Sequence, residues 1–181
     1  RAGIAGPPGV LPWAIHPGSG GRSKNWPLEI FLTLADVLKA EGRCRPFFIL
    51  GTVEEDISPP IAETIQARGF PLVRHLPLNV LAGLLEISAG YLGNDSGVTH
   101  LAAALNLPTF ALFGPTDPGL WGPVGKRVVI LRSDDPGVPG PTQTPIPETT
   151  GGKWEGLTVA AVLTAIQRIL PIGSNGKLLV I

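Results

Sequence analysis

The sequence predicts an α/β fold, a doubly wound parallel sheet with helices on both faces, and three observations carry that expectation. Short apolar runs rich in β-formers alternate with stretches of helical period, which is the pattern of successive βαβ units. A chain of 181 residues with 44% hydrophobic residues can bury one substantial core, as a single domain of this class does. Polar, glycine-bearing turns follow several of the apolar runs, where strand-to-helix connections belong.

Strands are expected at residues 11–15, 46–50, 72–75, 90–93, 109–113 and 127–131. Helices are expected between them, at residues 27–40, 60–68, 78–88 and 98–105. The first of these sets Phe31, Leu34, Ala35 and Leu38 on one face, with Pro27 in its first turn, where a missing N–H costs nothing. Residues 134–152 break the pattern, since Pro136, Pro139, Pro141, Pro145 and Pro147 sustain neither a helix nor a central strand, so a long loop is expected there. A last helix over residues 158–170 places Val159, Val162, Leu163, Ile166 and Leu170 on an apolar face. Residues 1–10, with Pro7 and Pro8 among glycines, read as a linker, residues 11–170 as one domain and residues 171–181 as a short tail.

Lysine and arginine total 14, as do aspartate and glutamate, so there is no basic excess to grip nucleic acid and no run of like charge to hold a membrane. One cysteine excludes an internal disulfide framework, which fits a reducing cytoplasm, and one cysteine with three scattered histidines makes no zinc site. The apolar region around Leu101 to Phe113 is interrupted by Asn106 and Pro108, short of the ~18 apolar residues of a spanning helix. The chain has no methionine and no basic-then-apolar opening of signal-peptide type, and is read as a portion of a longer protein.

In an open parallel sheet, ligands bind outside the carboxyl ends of the strands. After the first expected strand comes HPGSGGRSKNWP, in which Gly18, Gly20 and Gly21 permit close backbone approach, Ser19 adds a hydroxyl and Lys24 a positive charge. The spacing matches neither a Walker A loop nor G-x-G-x-x-G, and a plain strand-to-helix turn accounts for it equally well. GTVEED follows the second strand and sets Glu54 and Glu55 at the same edge, where carboxylates accept hydrogen bonds from ribose hydroxyls or simply favour a helix dipole. After the fourth strand, Asp95 and Ser96 precede an apolar helix whose free N–H groups attract an anion, and His100 lies one turn on, on the face of Ser96. Asp and Ser are also the usual N-caps, so this turn also suits a connection with no ligand. Gly114, Pro115, Thr116, Asp117 and Pro118 form a fourth polar loop after the fifth strand. No G-x-S-x-G elbow and no H-E-x-x-H motif is present, so covalent and metal-assisted chemistry lack support, whereas the four loops suit an anionic, hydroxyl-rich ligand such as a nucleotide diphosphate sugar.

Taken jointly, HPGSGGRSKNWP, GTVEED and GNDSGVTHLAAALNLPTFALFGPTDPGLWGP resemble, in order and approximate spacing, the family-nine glycosyltransferases, the ADP-heptose:lipopolysaccharide heptosyltransferases. The resemblance covers about residues 11–131. It implies a Rossmann-like domain, the C-terminal, nucleotide-sugar-binding half of a GT-B enzyme. Position by position, Ser19 and Gly20 resemble hydroxyl and backbone contacts to the diphosphate, and Lys24 the cation that balances its charge. Glu54 or Glu55 resembles the ribose or adenosine contact, and Leu76 falls where the family has an apolar residue against the base. Asp95, Ser96, Gly97 and His100 resemble the D-[TS]-G-x-x-H motif that holds sugar hydroxyls and phosphates.

The implied reaction is an inverting transfer of heptose from ADP-heptose to the lipopolysaccharide inner core, needing neither metal nor cofactor. Lys24 and His100 are then the groups that stabilise the leaving diphosphate. The acceptor site and general base belong, by the resemblance, to an N-terminal domain outside this chain. The implied location is cytoplasmic, with the intact enzyme peripheral to the inner membrane because its acceptor is lipid-linked. Two other readings of the same loops are a stand-alone nucleotide or sugar-phosphate binding module without catalysis, and a sugar-nucleotide epimerase of GT-B architecture.

Overall fold

The computed structural model describes residue 4 and residues 9–42, 44–51, 60–132, 154 and 156–169. Six parallel strands form one sheet: β1 Leu11–His16, β2 Cys44–Leu50, β3 Leu72–Arg74, β4 Gly90–Asn94, β5 Thr109–Phe113 and β6 Val128–Arg132. Their order across the sheet is β3-β2-β1-β4-β5-β6. The helices in chain order are α1 Leu28–Ala40, α2 Ile61–Ala67, α3 Leu78–Glu86, α4 Gly97–Ala104, the short α5 Pro118–Trp121 and α6 Val159–Ile169.

The four central strands β1, β2, β4 and β5 are buried on both faces, as parallel strands between helical layers are, and the edge strands β3 and β6 are half-buried. On one face Trp13, Ile15, Phe48, Leu50, Leu92, Phe110 and Leu112 pack with Phe31, Leu34 and Leu38 of α1, Ile61 and Ile65 of α2, and Val162 and Ile166 of α6. On the other face Ala14, Phe47, Ile49 and Tyr91 pack with Leu81 and Leu85 of α3 and Ala102 of α4. Residues i and i+1 of each strand thus feed opposite layers, which is the period-2 geometry of the pleat. Ile4, in the segment expected to be a linker, is half-buried against the second layer.

Each expected strand and helix is present with its ends shifted by at most two residues. α1 begins after Pro27, which precedes its first turn with an extended ψ of 133°. β3 stops at Arg74 rather than residue 75 because His75 adopts φ 50°, outside the strand region. β6 is displaced by one residue, to Val128–Arg132. Two elements were not expected: a single 3₁₀ turn at Arg22–Lys24 and the α5 turn inside the polar loop after β5. Asp117 caps α5, its Oδ1 accepting from the N–H of Gly119 at 2.9 Å, and Pro118 opens the helix where proline is tolerated. The loop at residues 134–152 and the tail at residues 171–181 lie outside the described residues.

Gly90 and Gly114 are among the glycines that close approach dictates. A Cβ at Gly90 would stand 2.6 Å from Trp13 Cη2, and one at Gly114 would stand 2.7 Å from Trp154 Cζ2. The second packs Trp154, in the segment leading into α6, against the loop that follows β5.

Candidate functional site

The strand order places the reversal of winding between β1 and β4, the position where open α/β sheets form their ligand crevice. A cavity of about 410 Å³ opens there, at the carboxyl edge. His16 ends β1, Ser19 and Gly20 come from the β1–α1 loop, Ile49 and Gly51 from the end of β2, Leu78 and Leu81 from α3, and Ser96, Gly97 and Val98 from the start of α4. One wall is polar and carries a helix N-terminus; the other is aliphatic. That division suits a ligand with an anionic part and an apolar ring.

The polar wall is assembled by hydrogen bonds over long sequence separations. Asn94, fully buried at the end of β4, donates through Nδ2 to the carbonyl of Pro17 at 2.8 Å and accepts at Oδ1 from the N–H of Trp26 at 3.0 Å. This one side chain ties both ends of the β1–α1 loop to β4. Trp26 donates its indole N–H to the carbonyl of Leu157 at 3.0 Å and meets the ring of Phe31 edge-on at 5.0 Å. The loop is thereby tied to the segment leading into α6.

Within the loop, the Ser19 hydroxyl lies 2.8 Å from the carbonyl of Gly21 and 2.6 Å from Oδ1 of Asn25, and it accepts from the N–H of Gly21 at 3.2 Å. Ser19 is 2% exposed, so its hydroxyl shapes the loop from inside. Gly20 accepts a Cβ without contact, so its lack of a side chain is not a steric need of the fold. The 3₁₀ turn brings Lys24 Nζ to 3.0 Å from Asp95 Oδ2 and 5.9 Å from the centre of the Trp121 ring. Lys24 is one-third exposed and Asp95 is 8% exposed, so the cation is anchored beside the start of α4, through the residue that precedes Ser96 of the cavity wall.

At that start, Ser96 is the N-cap with an extended backbone, its Oγ 3.4 Å from the N–H of Thr99. His16 Nδ1 lies 3.2 Å from the same oxygen. The N–H groups of Gly97 and Val98, first in the helix, have no intrahelical acceptor and add to the positive end of the helix dipole, which favours an anion at this wall.

The structure thus brings Ser19, Gly20, Lys24, Asp95, Ser96 and Gly97 to one edge, as the sequence led us to expect. Other positions fall differently. His100 is exposed one turn into α4, its ring off the cavity wall and without a hydrogen-bond or ionic partner among the described residues. Leu76 is half-buried against the second apolar layer, and Ile49, Leu78 and Leu81 supply the aliphatic wall of the cavity. Glu54 and Glu55 lie outside the described residues. His16, Asn25, Asn94 and Trp26 were not singled out from sequence; the available signal was a polar residue closing an apolar run, His16 after Ile15 and Asn94 after Gly93. Among the described residues no three His, Cys, Asp or Glu side chains gather as a metal site, and no helix is long and apolar enough to cross a membrane.

Comparison with known proteins converges on one family. Residues 12–144 match the sequence model of glycosyltransferase family 9 (heptosyltransferase). The lipooligosaccharide heptosyltransferase 2 of Haemophilus ducreyi is 34% identical over 125 residues, 65% of this chain and 35% of its own length. The lipopolysaccharide heptosyltransferase 1 of Escherichia coli is 34% identical over 113 residues, 61% of this chain and 34% of its own. Among solved structures, E. coli heptosyltransferase WaaC with ADP superimposes with a TM-score of 0.67 at 27% identity, over 90% of this chain and 46% of that one. The chain therefore spans about a third of the length of these sequence relatives and under half of the solved enzyme. With its six-stranded parallel sheet, its crevice at the β1–β4 reversal and these matches, the chain belongs to glycosyltransferase family 9, the heptosyltransferases, and corresponds to the C-terminal part of their GT-B fold.

Proposed function

We propose that this chain is the donor-binding half of an inverting, metal-independent glycosyltransferase that transfers heptose from ADP-heptose to the inner core of lipopolysaccharide, with residues 11–170 forming the donor domain. The observation that carries the reading is the cavity of about 410 Å³ at the β1–β4 reversal, where a helix N-terminus meets an aliphatic wall, with the Lys24–Asp95 pair beside that helix start. The solved relative that carries ADP supports the nucleotide assignment.

In this reading the diphosphate lies at the start of α4 and beside Lys24, and the base rests toward Ile49, Leu78 and Leu81. An acceptor hydroxyl, deprotonated by a carboxylate outside this chain, attacks the anomeric carbon in line as the bond to the diphosphate oxygen breaks. Negative charge grows on the departing ADP. Lys24 and the first N–H groups of α4 are already oriented to receive it, and each such donor in a dry site contributes on the order of 10²–10³ in rate. Asp95 holds Lys24 in place and offers an acceptor for a sugar hydroxyl. His100, exposed on α4, serves only if the ligand extends along that helix. The acceptor is lipid-linked in this reading, which places the intact enzyme at the cytoplasmic face of the inner membrane.

The test is calorimetric titration of the chain with ADP, ADP-heptose and UDP-sugars. Binding that selects adenine and is weakened by Lys24→Ala supports the assignment. A preference for UDP-sugars, or no binding to any of them, would overturn it.

A further inference from the structure

At the crevice, four side chains are joined in one hydrogen-bonded line: His16 Nδ1 lies 3.2 Å from Ser96 Oγ, Ser96 Oγ 3.1 Å from Thr99 Oγ1, and Thr99 Oγ1 2.9 Å from the Tyr91 hydroxyl. Thr99 and Tyr91 are fully buried and His16 is 3% exposed. The proton count of the two aliphatic hydroxyls fixes the direction of the bonds that Ser96 and Thr99 make. A threonine hydroxyl has one hydrogen and two lone pairs. Thr99 gives its hydrogen to the carbonyl of Asn94 at 2.5 Å, so it accepts from both Tyr91 and Ser96. Ser96 has then spent its only hydrogen on Thr99, and its two lone pairs take the N–H of Thr99 and one further donor. That donor is His16. The proton must sit on Nδ1, since the alternative tautomer would leave Ser96 and Thr99 with two oxygens at 3.1 Å and no hydrogen between them.

We propose that His16 is a positioning residue of the crevice, held with its proton on Nδ1 by the Ser96–Thr99–Tyr91 line, and that the Ser96 hydroxyl serves this line rather than a ligand. The inference deepens the donor-site reading and rests on it for its functional part. His16 is the last residue of β1 and Ser96 precedes the first residue of α4, so their bond spans the reversal point from one wall of the cavity to the other. It sets the backbone direction of Ser96 and hence of the first N–H groups of α4, which receive the diphosphate. Such support around a binding group preserves sub-ångström placement that an unsupported loop loses.

The proposal is tested on the ligand-free chain by ¹⁵N NMR of the histidine rings, with signals assigned through the His16→Asn and His100→Ala variants. The expected result is a proton on Nδ1 of His16 that moves to Nε2 in Ser96→Ala. An unprotonated Nδ1 in the unmodified protein would overturn the proposal, whatever the protein binds. Function is read from ADP affinity in two replacements. Asn places an amide N–H near the Nδ1 position and Gln near Nε2. His16→Asn should bind within about twofold of the unmodified chain, and His16→Gln about tenfold more weakly, the order expected for one lost hydrogen bond. Melting temperatures of both variants report whether a change is a loss of folding. The reverse order of affinities in folded variants would overturn the positioning role in favour of direct contact through Nε2. Failure of the unmodified chain to bind ADP would instead overturn the donor-site reading, with the tautomer result still deciding the hydrogen-bond assignment.

Discussion

Lys24 Nζ and Asp95 Oδ2 stand 3.0 Å apart, joining the β1–α1 loop to the residue before the Ser96 cap across 71 positions of sequence. The pair unites two motifs that look independent along the chain. Asp95 is nearly buried while Lys24 keeps a third of its surface in water, so the carboxylate is fixed and the cation is the member that can turn to a ligand. In the proposed donor site, an entering diphosphate would compete with Asp95 for the ammonium group without having to recruit it from solvent.

Replacing Lys24 by alanine should therefore cost function in a chain that still folds. In the full-length enzyme the expected loss is about 10²–10³ in kcat, since charge on the departing diphosphate loses its cation. Removing Lys24 leaves the nearly buried Asp95 carboxylate without its cation, at a cost of about 1–3 kcal/mol, which still leaves a typical domain of ~5–15 kcal/mol folded. Steady-state kinetics beside a denaturation curve checks both, and near-normal turnover would remove Lys24 from the site.

Asn94 makes a prediction about the fold. Its side chain answers the carbonyl of Pro17 and the N–H of Trp26 in a fully buried position, so Asn94→Ala leaves two main-chain groups without their partners. Each such orphaned group costs about 1–3 kcal/mol, a large share of a typical domain's ~5–15 kcal/mol. Equilibrium urea unfolding should register a loss of about 2–5 kcal/mol, and a change under about 1 kcal/mol would mean that the loop is held elsewhere.

The contrast between these residues shows what could be read from sequence. The apolar runs of β1, β2, β4 and β5 and the apolar face of α1 declare themselves locally, because period and composition reflect burial directly. Lys24 and Asp95 were legible as charged residues in loops at the expected sheet edge. The Asn94 clamp and the His16–Ser96 bond were not, since they join residues 68 to 80 positions apart and exist only once β1 and β4 lie side by side. α5 was hidden for another reason: four residues opening on Pro118-Gly119 carry too little periodicity to stand out from a turn. Leu76 was expected against a base by resemblance alone, whereas Leu78 and Leu81 carry no loop signal and reach the cavity because α3 starts at Leu78.

Gly114→Ala tests how the loop after β5 is coupled to the last helix. The added methyl would meet the Trp154 ring at 2.7 Å, and Trp154 is 2% exposed in the main core. The ring must shift, at a cost of about 1–3 kcal/mol for overpacking. Trp154 emission should move to the red as the ring becomes more hydrated, measured in a background with the other tryptophans replaced by phenylalanine. Unchanged emission and stability would show that Trp154 does not rest on Gly114.

Trp26 and Trp121 flank the same lysine loop yet should respond in different ways. Trp26 is buried, its indole N–H bonded to the carbonyl of Leu157, so Trp26→Phe leaves that carbonyl unanswered and shrinks a packed ring. The expected loss is about 1–3 kcal/mol of stability. Trp121 is 58% exposed and meets the site through Lys24, 5.9 Å from its ring centre. Trp121→Ala should leave stability within about 0.5 kcal/mol. An exposed cation–π contact contributes ~0.5–1 kcal/mol, so ADP affinity should fall by about two- to fivefold. Paired melting and titration data on the two variants check the division. If Trp121→Ala instead unfolds the chain, the α5 turn supports the core rather than the crevice.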